Sequence, residues 1–248
     1  MITDIKALRE RLMNICSDIT FDEAYHQYTL EGVELKPVTQ AASAYLEPFR
    51  SWQIASQMAE KFSKQSDKPV TPQEIIRHWE KLREVAADKG TRVHTFIENY
   101  PVLPREAECE EEQGAINWYK QLPAHYHPLI QEKIVYSRRR GIAGKFDKLF
   151  YNEQTSSLML VDWKTCKDIL KNYKGKKLKP PFENMLDTPL NKYMIQQSLY
   201  AICLEEHLPE LLVTEMYIIH LHKDLPNYFC SYAVEDLRPK LLLTAASA

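Results

Sequence analysis

The stretch GIAGKFDKLFYNEQTSSLMLVDWK, Gly141 to Lys164, constrains this chain more than any other. It reads as two β-strands, Ile142 to Tyr151 and Leu158 to Thr165, joined by a polar turn. The first strand carries Asp147. The second carries Asp162 and Lys164 in the string Val161-Asp162-Trp163-Lys164-Thr165. Side chains alternate across a strand, so Asp162 and Lys164 share one face and Trp163 points to the other. With Glu153 to Ser156 as the turn, the antiparallel register sets Asn152 against Ser157. The same register sets Asp147 against Asp162, at a Cα spacing of about 4.5–5.5 Å. Two opposed carboxylates repel unless something neutralises them. Hard oxygen ligands suit Mg2+, Mn2+ or Ca2+, so the pair predicts a divalent cation. Lys164, one pleat away, would stand beside an attacking water or a phosphate oxygen. These are the parts of a phosphodiesterase centre.

A long helix supplies the next candidates. Thr71-Pro72-Gln73-Glu74 reads as an N-cap with proline in the first turn, and helical spacing continues to Tyr100. Trp79, Leu82, Ala86, Gly90, Val93, Ile97 and Tyr100 form its expected buried stripe, with Gly90 allowing close packing against a sheet. His94 and Glu98, four apart, stack one position round from the stripe, where they can reach a neighbouring strand. Alone, such a pair is an ordinary polar contact at a core boundary. Beside two aspartates, His94 can complete a metal shell, because neutral imidazole is a competent ligand. The backbone carbonyl of Trp163 offers a further oxygen.

The remaining elements frame this centre. A helix over residues 3–16, opened by Thr3-Asp4, is followed by a hairpin turning at Glu31-Gly32, and then by helical sequence from Val38 to Gln65 broken at Pro48. Arg105 to Glu112 reads as a solvated acidic helix start. Gln131 to Arg139 reads as a strand leading to the positive cluster Arg138-Arg139-Arg140. After Lys164 the chain is at its most basic, with Lys167, Lys171, Lys174, Lys176, Lys177 and Lys179. Its glycine and two prolines predict a mobile loop. Its departure from the metal-bearing strand points to phosphate contacts from Arg139 and from Lys171, Lys174, Lys176 and Lys177. A helix over Asn191 to Glu206 puts Gln196 and Tyr200 on one face, with side chains suited to a nucleic-acid backbone. Two strands, Val213 to His222 and Tyr228 to Val234, and a helix from Glu235 to about Ala246 complete the chain.

This order predicts an α/β fold: a mixed central sheet of about four or five strands, helices on both faces, sequence α-β-β-β-α-β. Residues 71–248 would form the core and 1–70 a hairpin with a mainly helical extension, unless 1–248 is one compact domain. The formal charge of -2 over 248 residues requires any basic surface to be local. No apolar run reaches the length of a membrane span and the first residues lack a signal-peptide core, so no membrane association is expected. Five cysteines without a C-x-x-C pair predict a cytoplasmic or other reducing compartment, and neither a zinc site nor an iron–sulfur cluster.

Taken together, Gly90-x-x-x-His94-x-x-x-Glu98, Gly144-Lys145-Phe146-Asp147, Asp162-Trp163-Lys164-Thr165 and Gln196-x-x-x-Tyr200 give the chain a resemblance to the PD-(D/E)XK nuclease superfamily. The closest likeness is to its RecB-like exonuclease branch, which includes the mitochondrial genome-maintenance exonuclease and phage and large-virus exonucleases. The resemblance covers roughly residues 26 to 222, and His26-x-Tyr28 with Pro37-Val38-Thr39 is similar to the start of the viral and mitochondrial members. Lys145-Phe146 stand where the superfamily motif has proline, a departure common in this branch. The resemblance implies a restriction-endonuclease-like core with one or two Mg2+ or Mn2+ ions. It makes His94 and Asp147 metal ligands, Asp162 a bridging or binding ligand, Lys164 the catalytic lysine and Glu98 a supporting residue. Gln196 and Tyr200 match the helix that contacts DNA. The implied activity is exonucleolytic hydrolysis at DNA ends or in single strands during replication, recombination or repair, with proteins of those processes as partners and a virus or phage as a fitting source. The iron–sulfur cysteines of some relatives are absent. A structure-specific endonuclease and a catalytically silent binding module are the competing readings; the intact His94, Asp147, Asp162 and Lys164 argue against silence.

Overall fold

Between Ile142 and Lys164 nearly every strand residue is buried, on both faces alike, so the hairpin requires cover on two sides. The computed structural model, which describes residues 4–65 and 69–245, supplies that cover from helices on each side. In chain order the elements are α1 (Ile5–Asn14), β1 (Ile19–Asp22), β2 (Gln27–Leu30), β3 (Val33–Pro37), α2 (Val38–Ser43), α3 (Ser51–Ser63), α4 (Pro72–Asn99), α5 (Glu110–Gln121), β4 (Tyr126–Ser137), β5 (Ile142–Asn152), β6 (Ser157–Lys164), α6 (Pro189–His207), β7 (Val213–Leu221), β8 (Phe229–Ala233) and α7 (Arg238–Ala245). Asp4 caps α1 by accepting the Lys6 and Ala7 N–H groups. Thr3 and Ala246, at the outer limits of the expected first and last helices, lie outside the described residues.

The class is α/β with a mixed sheet, but the sheet is wider than expected. Among the described residues it has eight strands rather than four or five. β5 pairs antiparallel with β4 and β6, β6 runs parallel to β7, and β8 closes that edge antiparallel to β7. The succession α5-β4-β5-β6-α6-β7 is the expected order. The extra width comes from β8 and from the meander β1–β2–β3, which joins through a short parallel pairing of Lys36 and Pro37 with Ile142 and Ala143. Residues 4–65 therefore mix three helices with three strands. Their Leu8, Leu12, Tyr28 and Leu30 enter the same core as Val135, Phe146 and Leu160.

α6 covers one face of the sheet, and α4 with α5 covers the other. On the second face Trp163 meets Trp118 edge-on at 4.9 Å, within a cluster containing Val93, Phe96 and Ile97 of α4. α4 begins as expected, with a reciprocal capping box between Thr71 and Glu74. Its stripe is only partly buried: Leu82 and Ala86 are exposed. At 28 residues, roughly 42 Å at 1.5 Å per residue, the helix outruns the sheet. Its start packs on α3 through Ile75, Ala55 and Ala59, its end packs on the sheet, and the middle stays in solvent. A Cβ on Gly90 would lie 3.5 Å from Thr165 Oγ1, an ordinary contact, so packing there does not require glycine.

The acidic run is also not a solvated face throughout. Glu111 is fully buried and accepts Lys89 Nζ at 2.6 Å, while Glu112 takes a two-pronged pair from Arg105, whose guanidinium lies 4.4 Å from the centre of the Phe96 ring. Among the described residues no helix is long and apolar enough to cross a membrane.

Gly144 of β5 is a glycine demanded by space. A Cβ there would stand 2.9 Å from Tyr200 Cε1 and 3.1 Å from Val38 Cβ, and both neighbours are buried. Gly144→Ala is therefore expected to destabilise the protein by about 1–3 kcal/mol through overpacking, read as a lower midpoint in urea unfolding. An unchanged midpoint would mean that Tyr200 yields.

Candidate active site

The β5–β6 ladder keeps the register set by its turn, with Asn152 opposite Ser157, and closes at Lys148 opposite Val161. Asp147 and Asp162 come next. There the Asp147 carboxylate, through Oδ2, accepts the Trp163 N–H at 2.8 Å, so a side chain continues the bonding where the ladder ends. β5 is irregular at this point. Gly144 faces Tyr200 of α6, whereas Lys148 bonds Gln131, whose amide in turn donates to the Glu98 carbonyl of α4. Residues four apart share a face in a regular strand, so β5 turns over between them. On β4, within the same stretch, Glu132 has φ +50°, a region costly for a residue with a long side chain.

His94 enters from α4. Its Nε2 lies 3.1 Å from the Trp163 carbonyl oxygen. A carbonyl only accepts, which assigns the proton to Nε2 and leaves the Nδ1 lone pair turned towards Asp147 Oδ2, 3.6 Å away. Burial, with Lys164 adding to it, holds the His94 pKa below the usual value, which favours the neutral, ligand-competent imidazole. A ring held through its other nitrogen by a carbonyl is a common arrangement for a metal-binding histidine. The Trp163 carbonyl, itself expected as a ligand, has one of its lone pairs engaged in this way.

Ligand atoms of His94, Glu132 and Asp147 all lie within 4.8 Å of one another. An ion with bonds of about 2.1 Å spans ligands about 4.2 Å apart, so a small contraction would close the group around one. One imidazole and two carboxylates without a thiolate suit Mg2+ or Mn2+, so the residues fit the ion expected here. Glu132 was not foreseen. Pairing β4 with β5 across the Arg138–Gly141 turn, with Ser137 opposite Ile142, would have carried it to the position of Asp147.

Asp162 stands beside this cluster rather than in it. It is buried, its Oδ1 accepts Gln196 Nε2 at 3.3 Å, and its Oδ2 forms an ion pair with Lys164 Nζ. The Lys164 ammonium also lies 4.8 Å from the centre of the Tyr193 ring. The two halves sense each other electrostatically. Burial pushes both Asp147 and Asp162 up to about 6 against the opposing pull of Lys164, and Asp147 pushes Asp162 further in the same direction. Burial alone would lower the Lys164 pKa, but Asp162 and Asp147 raise it above the ordinary lysine value.

The expected DNA-contacting residues divide into two groups. Gln196 and Tyr200 are buried on the sheet-facing side of α6, where Gln196 holds Asp162 and Tyr200 fills the space left by Gly144. Neither presents its side chain at the surface. Glu98 is half-buried, and its charge acts on Lys145 and Lys148. Arg138 is committed to Glu31, and Arg140 to the Leu241 carbonyl. Arg139 is exposed, but it sits at the β4–β5 turn, roughly 20 Å along the strand from Asp147 at about 3.3 Å per residue.

Lys171, Lys174, Lys176 and Lys177 are exposed, yet the segment bearing them is not the free loop its composition suggested. Ile169, Leu178, Phe182 and Met185 are buried, and Lys177 bridges to Leu186. The Asn172 amide donates to the carbonyls of Lys176 and Asp187 at 2.9 Å each, and the Lys179 N–H donates to the Tyr45 carbonyl at 2.8 Å. A narrow cleft lined by His94, Glu98, Glu132, Asp147 and Lys148 opens at the site. A larger cleft of about 560 Å³, lined by Arg92, Phe96, Arg105 and Cys109, lies between α4 and α5, and neither aspartate nor Lys164 lines it.

Compared with known proteins, the chain matches no family model and no curated protein.

Proposed function

We propose that this chain is a divalent-metal-dependent deoxyribonuclease, an exonuclease acting at DNA ends or on single strands in replication, recombination or repair. The observation that carries this reading is the convergence of His94, Glu132 and Asp147 on one point, with the Asp162–Lys164 ion pair beside it. A bound Mg2+ or Mn2+ would lower the pKa of a water and screen charge on the phosphate. The rest is done by the protein. Lys164, whose charged form Asp162 and Asp147 favour, donates hydrogen bonds to a phosphate oxygen. Asp162 aims Lys164, and Gln196 aims Asp162. Lys171, Lys174, Lys176 and Lys177 supply phosphate contacts, and the exposed Tyr173 ring, 5.0 Å from Lys171 Nζ, offers a base a stacking surface.

Under Mg2+ or Mn2+ the protein is expected to degrade linear single-stranded DNA and to leave circles intact. Lys164→Ala should reduce single-turnover cleavage by about 100- to 1,000-fold or more, with DNA affinity nearly unchanged. Cleavage of circles would turn the reading to an endonuclease. Failure of the wild type to cut any DNA with either ion would favour a silent binding module.

Replacing Lys171, Lys174, Lys176 and Lys177 together with alanine should weaken single-strand binding. The log–log salt slope should fall by up to about 3, at roughly 0.7 per lost phosphate contact. A slope equal to that of the wild type in fluorescence-anisotropy titrations would remove these lysines from the interface.

Metal binding needs Asp147 ionised, and a dication nearby also favours the charged form of Asp162 beside the cluster. Asp147 and Asp162 have folded pKa values of about 6, above the ordinary aspartate value of 3.8. Without metal, these groups make the folded state less stable as pH rises from about 4 through 6, because the native state holds its protons longer. Bound metal opposes that loss. The rise in Tm on adding Mn2+ should thus be large at pH 7.5 and small at pH 5. Equal rises at the two pH values in thermal-shift assays would contradict the assignment of Asp147 as a ligand.

A further inference from the structure

The centre holds three acids, Glu132, Asp147 and Asp162, and their counter-charges are unequally shared. Lys164 is committed to Asp162. Asp147 has the Trp163 N–H and the uncharged His94. Glu132 is paired with a second lysine, Lys145, whose Nζ lies 2.7 Å from Oε2. A carboxylate that holds an ammonium at that distance and also binds a dication brings like charges side by side. Lys145 has somewhere else to go. Its side chain is 42 % exposed, on a flexible four-carbon stem, and Glu98 and the exposed Glu23 of the β1–β2 turn also act on its charge. Its backbone is fixed, since it hydrogen-bonds the buried Tyr28.

We propose that Lys145 is a displaceable internal counter-cation of the metal centre: paired with Glu132 when no ion is bound, it withdraws towards Glu98 and Glu23 when a divalent ion takes the Glu132 carboxylate. This inference rests on the metal-dependent reading given above. It makes Lys145 a positioning residue that weakens ion binding while sparing the ion-free protein two opposed, uncompensated carboxylates. It also gives the N-terminal meander, through Glu23 and Tyr28, a part in the centre.

The test is Mn2+ binding to the full chain, by calorimetry and by the paramagnetic resonance of free Mn2+, for wild type, Lys145→Met, Glu132→Gln and the double variant. Lys145→Met should bind Mn2+ about tenfold more tightly. Its ion-free Tm should fall below that of the wild type, and saturating Mn2+ should close the gap. On the Glu132→Gln background, Lys145→Met should change affinity by less than about twofold, since the coupling runs through Glu132. Lys145→Gln replaces Lys145→Met should the latter fail to fold, with the same expectation; Lys145→Arg, which keeps the charge, should stay within about twofold of wild type. Unchanged or weaker Mn2+ affinity in the uncharged variants would overturn the inference and leave the ion pair purely structural. Equal tightening with and without Glu132 would overturn it too, because the effect would then be a general field. A wild type that binds no Mn2+ would remove the metal centre itself, and the nuclease reading with it.

Discussion

The bond from the Trp163 N–H to the Asp147 carboxylate is the contact on which the rest of the site depends. A regular ladder would have met that N–H with a backbone carbonyl. Using a side chain instead ends the β5–β6 pairing with both aspartates close together and largely dry. Burial then pushes both acids up to about 6, because charge is disfavoured where the folded chain places them. The surrounding groups each offset part of that cost: Lys164 pairs with Asp162, Gln196 donates to it, and the Trp163 N–H donates to Asp147. Strain of this kind persists only where the surroundings over-determine it. Here the buried Trp163, wedged against Trp118 on the opposite face, fixes the backbone that carries the bond.

What could be read from the sequence was whatever has a local cause. The turn Glu153–Ser156 set the hairpin register, and Thr71 and Glu74 marked the start of α4. Gln196 and Tyr200 were placed on one helix face, but α6 is buried nearly all round, so nothing in its pattern told the face under the sheet from one open to a ligand. What escaped needed partners distant in the chain. The parallel docking of β3 on β5 joins residues more than a hundred positions apart through two residue pairs. Glu111 and Glu112 look solvated until Lys89 and Arg105 fold over them. Glu132 becomes a candidate ligand only through cross-strand pairing and a positive φ, neither of which leaves a mark in composition. The α4 stripe failed for a related reason: periodicity reports which face is apolar, not how far the surface that covers it extends.

The basic segment after β6 illustrates how composition misleads about order. Glycine, proline and lysine suggest freedom, yet buried Ile169, Leu178, Phe182 and Met185 fasten it, as do the two bonds from the Asn172 amide. Fixing such a segment in advance reduces the entropy lost when it meets a ligand. Its lysines are therefore presented from a built platform. A chain with net charge -2 has little long-range pull on a polyanion, so under the proposed function local placement of positive charge would have to do what overall charge cannot.

That platform and the centre share one support. Tyr193, Gln196 and Tyr200 recur at helical spacing on α6, and in order they touch Lys164, Asp162 and the space beside Gly144. One stripe of a single helix thus spans β6 and β5 where their ladder ends, and it fixes the two strands relative to each other after their backbone pairing has stopped. The basic segment starts at the C-terminal end of β6 and finishes at Thr188, which caps α6 by accepting the Asn191 N–H. Both of its ends are therefore tied to elements that hold the acids. A shift of α6 along its axis would move Gln196 off Asp162 and drive Tyr200 into the β5 backbone at Gly144 together. Packing and charge in this region consequently rise or fall as a unit, which is why a buried polar pair next to a glycine in van der Waals contact makes a more exacting constraint than either would alone.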